Sequence, residues 1–186
     1  MSHAAPPGWH WAPMQAEHLE AVCALERRAH AHPWSERQFA EALQAGHSAQ
    51  LLLRTAASPP DNLPDPEDFT LPDGRLLLGY WVAQAVLDEV HLHNLATARP
   101  RQGWGRLLLQ RLIESAEAQG AQTLWLEVRA SNQPARALYQ QAGFEAVATR
   151  SGYYPAQGGG REDALLLRRC LQALPMATPP AQSEPA

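Results

Sequence analysis

An α+β domain is what this sequence predicts, and three observations carry that reading. In the first half, strand-like runs at Ala49–Thr55, Leu76–Val86 and Glu89–Ala96 follow one another with no helix between them, as antiparallel strands do. From Asp88 to Tyr139 the pattern becomes strand, glycine turn, helix, strand and short helix. Within that stretch the apolar positions keep a helical period through Leu109, Leu112, Ile113 and Ala116, then alternate through Leu124, Leu126 and Val128.

Each element has its own signal. A first strand is read at Trp9–Pro13, and Ala16–Ala29 is a helix with Leu19, Val22, Cys23, Leu25 and Ala29 on its apolar side. Pro33 interrupts it. Ser35 then N-caps a second helix through Leu43, with Gln38 at capping-box spacing. Ala56–Gly74, rich in Pro and Asp, reads as a long loop inserted between two strands. Gly103 precedes the third helix and Gly120 stops it. Thr123–Val128 alternates as a strand, Asn132 caps the next helix with Pro134 in its first turn, and Gly143 ends that helix. Strands at Phe144–Gly152 and Ala164–Arg168 enclose an exposed turn at Pro155–Arg161. One domain over residues 1–174 and a disordered tail over 175–186 complete the expected organisation.

Bulk properties narrow the class. A 45% hydrophobic content suits a globular chain, and no apolar run approaches a membrane span. No basic flank leads into an apolar stretch near the N-terminus, so no secretory leader is expected. Two cysteines, Cys23 and Cys170, give no zinc or disulfide spacing, which points to a reducing cytoplasm. The net charge of −4, without basic blocks, argues against direct nucleic-acid binding and suits a basic protein partner. All 15 basic residues are arginine, a compositional bias with no lysine.

The turn Arg101-Gln102-Gly103-Trp104-Gly105-Arg106 lies between an apolar strand and an amphipathic helix. Glycines allow close backbone approach, and a helix N-terminus favours anions, so a phosphorylated co-substrate is expected there. Glu127, at the end of a central strand, reads either as a carboxylate paired with Arg129 or Arg101, or as a base. Tyr139 shares its helix face with Ala135, Leu138 and Ala142, so it is either core or a proton donor. Asn132 caps a helix and is also placed to contact a ligand. Glu89, His91 and His93 alternate on one strand face, a spacing seen in metal sites, but no third strong ligand accompanies them and no metal is expected.

Four motifs, Glu127-Val128-Arg129-Ala130-Ser131-Asn132, Ala137–Phe144, Tyr153-Tyr154-Pro155 and Arg161-Glu162-Asp163-Ala164, together closely resemble the GNAT-fold acetyltransferases. Among those, they resemble most the bacterial ribosomal-protein-alanine N-acetyltransferases. Arg28–Ser35 adds a likeness to that family's first helical region. The resemblance implies a mixed, mostly antiparallel sheet splayed at two central strands, near His91–Ala96 and Leu124–Val128, with flanking helices. It implies acetyl-CoA as co-substrate and a protein N-terminus, that of an alanine-starting ribosomal protein, as acceptor. It implies Glu127 as general base and Tyr139 as general acid. It implies co-substrate contacts from the backbone at Leu95, Ala96 and Thr97, from Arg101, Gln102, Gly103, Trp104, Gly105 and Arg106, and from Asn132. Trp34, Tyr153 and Tyr154 resemble parts of the family's peptide groove.

The phosphate turn departs from the family pattern: its spacer from Thr97 is shorter, with Pro100 where Gln or Arg is usual, while Arg101 and Arg106 retain positive charge. Two rival functions remain at this stage. One is acetylation of a small amine such as a polyamine or aminoglycoside; the other is a non-catalytic acyl-CoA-binding module, which would need neither Glu127 nor Tyr139.

Overall fold

The computed structural model describes residues 8–55, 69–156 and 158–171. Most of the expected loop insertion and the whole expected tail lie outside those residues. Seven strands form one sheet in the order β1-β2-β3-β4-β5-β7-β6. They are β1 (Trp9–Pro13), β2 (Ser48–Arg54), β3 (Leu76–Val86), β4 (Glu89–Thr97), β5 (Thr123–Arg129), β6 (Glu145–Pro155) and β7 (Arg161–Cys170). The helices are α1 (Leu19–Ala29), α2 (Glu36–Gln44), α3 (Trp104–Ala118) and α4 (Gln133–Gln141). Every pairing is antiparallel except β4 with β5, which α3 joins as a parallel crossover.

Local signals explain the element ends. Ser35 Oγ accepts from Gln38 N–H while the Gln38 side chain accepts from Ser35 N–H, closing the expected capping box. Asn132 Oδ1 caps α4 through Ala135 N–H at 3.2 Å. The first helix differs from expectation in its opening turn, which is a 3-10 turn over Ala16–His18. The last two strands run longer than their hydrophobic pattern. A register shift between Arg150 and Tyr154, with Gly152 at φ 59, carries β6 through a bulge to Pro155. Phe69 and Leu71, at the far end of the expected loop, are buried in the core.

Helices cover β3 and β4 on both faces. Tyr80 and Asn94 reach Glu26 of α1, whereas Gly79, next to Tyr80 on β3, lies under Leu108 of α3. A bulge in β4 modifies the alternation: Val82 pairs with Asn94 but Ala83 pairs with Leu92, leaving His93 as the extra residue. Strict alternation would have turned Asn94 away from His93. With the bulge, both side chains face the α1 side.

The parallel ladder is short. It runs from Glu89↔Thr123 to Leu92↔Leu126 and then stops, although both strands continue. Past that point β4 stays with β3 and β5 stays with β7, so the sheet parts between them. This is the splay implied by the resemblance. Among the described residues no helix is long and apolar enough to cross a membrane.

Gly79 shows how closely this centre is packed. A Cβ there would sit 2.7 Å from both the Ala96 carbonyl oxygen and Leu108 Cδ1. Gly79→Ala is therefore expected to cost about 1–3 kcal/mol through overpacking, read as a lowered Tm. An unchanged Tm would show that β3 and α3 can move apart without loss.

Candidate active site

Where β4 and β5 part, a cleft of about 500 Å³ opens through the sheet. Its walls come from the chain after α1 (His30, His32, Trp34), from β4 (His93–Leu95), from β5 (Glu127) and from α4 (Tyr139). Asn132 and Tyr154 line it as well. Backbone direction along β4 follows from one bond: Ala98 N–H donates to the Leu78 carbonyl at 2.8 Å. In an antiparallel ladder the bonded residues alternate, so Ala96 and Asn94 also turn toward β3. Leu95 and Thr97 then present their N–H and C=O groups to the parted side.

Glu127 lies on the face of β5 shared with Trp125, the α1 side, with its side chain 24% exposed. Its partner is neither Arg129 nor Arg101. Arg150 of β6 forms the ion pair, and Arg129 instead bonds Glu162 and the Pro155 carbonyl, each at 2.8 Å. The reason is strand geometry: Arg129 shares the face of Glu127 but lies farther along β5, beside Glu162. Arg150 also lies over the Tyr153 ring at 4.1 Å. A hydrogen bond to Glu127 is the first cause that raises the Tyr153 pKa, with burial second. Tyr154 is pushed up to about 12 by burial and then by the Glu127 charge.

Tyr139 projects from α4 and is 8% exposed, packed against Phe144 with ring centroids 5.7 Å apart. Burial, and secondarily Tyr154, raises its pKa well above the ordinary phenol value. The hydroxyl therefore keeps its proton across the physiological range. Among the described residues its hydroxyl has no hydrogen-bond partner, although the side chain lines the cleft. The ring is part of the core, and the residue also lines the cleft.

Beyond the end of β4, Gly103 caps α3 with φ 80 and no side chain satisfies the cap. No acidic residue occupies the first turn. Arg101, also in the left-handed region at φ 62, and Arg106 flank it in the sequence. A Cβ on Gly105 would meet Leu138 Cδ2 at 3.3 Å and Thr97 Cγ2 at 3.9 Å, so the helix start abuts α4 and the end of β4. Open N–H groups, the positive helix end and nearby guanidinium groups fit a diphosphate-bearing co-substrate. Trp104 is buried edge-on against Trp9, centroids 5.7 Å apart, and so packs beneath the turn.

On the α1 side, His93 stacks on His47 at 5.3 Å and contacts Gln84 at 3.2 Å, while His91 Nε2 lies 3.1 Å from Glu89 Oε2. Burial, and then the two neighbouring histidines, lowers the His93 pKa. No group of three or more metal-ligating side chains comes together among the described residues. Sequence reasoning did not single out Glu26, His30, Asn94 or Arg150. Glu26 had a usable signal, a carboxylate on the apolar side of a helix. Arg150 had none, because only the β6–β7–β5 pairing brings it to Glu127.

The family profile described as acetyltransferase (GNAT) family matches residues 19–144. The chain belongs to this GNAT family. The Escherichia coli K12 enzyme named [ribosomal protein bS18]-alanine N-acetyltransferase is 38% identical over 156 residues, 83% of this chain and 92% of that protein. A crystal structure of the ribosomal-protein-S18-alanine N-acetyltransferase from Escherichia coli aligns with a TM-score of 0.73 at 34% identity, covering 91% of this chain and 99% of that one. Arabidopsis thaliana NAA60 in complex with acetyl-CoA, 17% identical, shares the fold with a TM-score of 0.71 over 87% of this chain and 98% of that one. This GNAT protein is an acetyl-CoA-dependent acyltransferase.

Tyr139 gives a pH test of the site. The folded state holds its proton, while the unfolded chain releases it near the ordinary pKa of about 10. Stability from this group is thus complete below pH 10 and falls as pH rises above it. Tyr139→Phe is expected to leave Tm unchanged at neutral pH and to lessen the alkaline loss. A Tm drop at neutral pH would mean the hydroxyl has a structural partner.

Proposed function

We propose that this enzyme acetylates the N-terminal α-amine of a protein, and that its acceptor is an alanine-starting ribosomal protein. The observation that carries the reading is the meeting of Glu127 and Tyr139 in one cleft that pierces the sheet. A proton acceptor from β5 and a neutral donor from α4 there face a single reaction centre. The substrate named for the Escherichia coli relative supports the acceptor class, and such a substrate puts the reaction in the cytoplasm.

Acetyl-CoA binds from the α3 side. Gly103–Arg106 and the helix N-terminus hold its phosphates, with Arg101 and Gln102 beside them. The backbone groups of Leu95 and Thr97 pair with its amide-bearing arm, the Ala96 groups being turned to β3 instead, and Asn132 borders the same channel. The acceptor chain enters from the α1 side between Trp34 and the Tyr153–Tyr154 pair. A Leu95-region N–H stabilises charge on the thioester oxygen. Glu127 accepts a proton from the attacking amine, and Tyr139 gives one to the departing sulfur. Burial that raises the Tyr139 pKa raises that of a thiolate beside it too, so donor and acceptor remain matched. Transfer is direct: Cys23 is buried with its thiol pKa raised by that burial, and Cys170 is exposed at the end of β7.

The test is acetyl-CoA turnover on short peptides that differ at residue one, with an N-terminally blocked control and a panel of small amines. Transfer to the free alanine peptide and none to the blocked one is the expected result. Turnover on small amines alone would overturn the Nα reading. Glu127→Gln and Tyr139→Phe should each lower kcat by about a hundredfold or more, with KM for acetyl-CoA little changed. Wild-type kcat in either variant would remove that residue from its role.

A further inference from the structure

An α-ammonium begins with three protons on nitrogen and the product amide retains one, so two must leave. One is lost before attack, to free the lone pair; the other is lost as the C–N bond forms. Glu127 is one acceptor, but in the resting protein it is held by Arg150 and Tyr153. We propose that His30, backed by the buried Glu26, is the second acceptor and takes the first proton from the substrate ammonium. This inference rests on the Nα-acetyltransferase reading.

The geometry that supports it lies on the wall of the same cleft. His30 follows α1 and its side chain is 35% exposed; its buried Nε2 lies 3.3 Å from Glu26 Oε2, within charge contact but outside hydrogen-bond geometry. With Nε2 against the carboxylate oxygen, Nδ1 is the ring nitrogen left to face a proton donor. Glu26 itself is 1% exposed and held from three directions. Tyr80 Oη donates to its Oε2, while Asn94 Nδ2 at 3.0 Å and the Trp34 N–H at 2.8 Å donate to its Oε1. A carboxylate fixed in this way gives the imidazole a negative neighbour held in place on its Nε2 side. Both His30 and Glu127 line the cleft, one from the chain after α1 and one from β5.

The protons balance. His30 Nδ1 takes the ammonium proton, becomes imidazolium and returns the proton to water. The free amine attacks the thioester carbon; the C–N bond forms, the C–S bond breaks, and the nitrogen's second proton goes to Glu127. Tyr139 protonates the sulfur and is reprotonated from Glu127 through solvent. Net, one proton ends on CoA and one in solution.

The other titratable and charged groups around this wall are His32 on the same chain, His93 on β4, Glu127 and Arg129 on β5, Tyr139 on α4 and Tyr154 on β6. Burial holds both tyrosines protonated, and Arg129 is paired with Glu162. His32 and His93 are thus the competing candidates.

The experiment is the pH dependence of kcat/KM for an alanine-starting peptide, in wild type, His30→Gln and Glu127→Gln, with melting curves as folding controls. At pH 7, His30→Gln should lose roughly tenfold or more, with KM for acetyl-CoA unchanged. At about pH 9.5, above the ordinary α-amine pKa of about 8, solution supplies free amine and the His30→Gln defect should close. The Glu127→Gln defect should persist. A His30→Gln defect equal at both pH values, or absent at pH 7, overturns the inference alone. The same pH-restored defect in His32→Gln or His93→Gln, with His30→Gln at wild-type rate, overturns it too. Wild-type failure on every peptide would overturn the parent reading and this inference with it.

Discussion

Everything at this site depends on the parallel ladder between β4 and β5 ending after Leu92↔Leu126. Were it to continue, Leu95 and Thr97 would spend their backbone groups on β5, and the cleft would be sealed by hydrogen bonds. The bulge at His93 supplies the physical cause, since an extra residue bends its strand and increases local twist. Each strand retains its outer partner, β3 or β7, so the parting leaves one edge of each strand open and no strand alone. The same bulge swings Asn94 to the α1 side. One inserted residue therefore opens the sheet and delivers the side chain that fastens α1 to it.

That fastening is the Glu26 cluster. A buried carboxylate is costly unless donors replace water, and here Tyr80, Asn94 and the Trp34 N–H do so from β3, β4 and the chain beyond α1. Tyr80 also packs edge-on against Phe39 of α2, centroids 5.6 Å apart, and Phe39 contacts Trp34 at 5.3 Å. The α1-side wall of the cleft is thus braced by polar bonds and aromatic packing at once. Precise placement of His30–Trp34 against an open sheet edge requires both, because loop backbone alone has too few contacts to hold it.

Much of this fold was legible in the chain. Capping residues Ser35 and Asn132, the glycine before α3 and the alternation of β5 each specify a local conformation, and all appear where their chemistry requires. The motif residues Glu127 and Tyr139 both line one cleft. What stayed hidden was non-local. No local rule announces that Arg150 will cross β7 to reach Glu127, or that β4 will carry a bulge at a histidine. The β6 extension was obscured because Gly152 and the Tyr153–Tyr154 pair break strict alternation, and only pairing with β7 keeps them in the strand.

The Glu127–Arg150 pair looks at first like an obstacle to a base, yet its position argues otherwise. Arg150 is 52% exposed, and ion pairs in such settings contribute about 0–1 kcal/mol. On the proposed mechanism a guanidinium held that weakly gives way as the C–N bond forms, after the first proton has left the ammonium, while a fully buried pair would resist. Until then the pair keeps the carboxylate aimed at the cleft and Arg150 stacked on Tyr153. If acceptor and co-substrate fill the cleft as proposed and expel water, the same charges interact more strongly. A site that is loosely paired when empty and strongly polar when full favours charge formed during reaction over charge already present at rest.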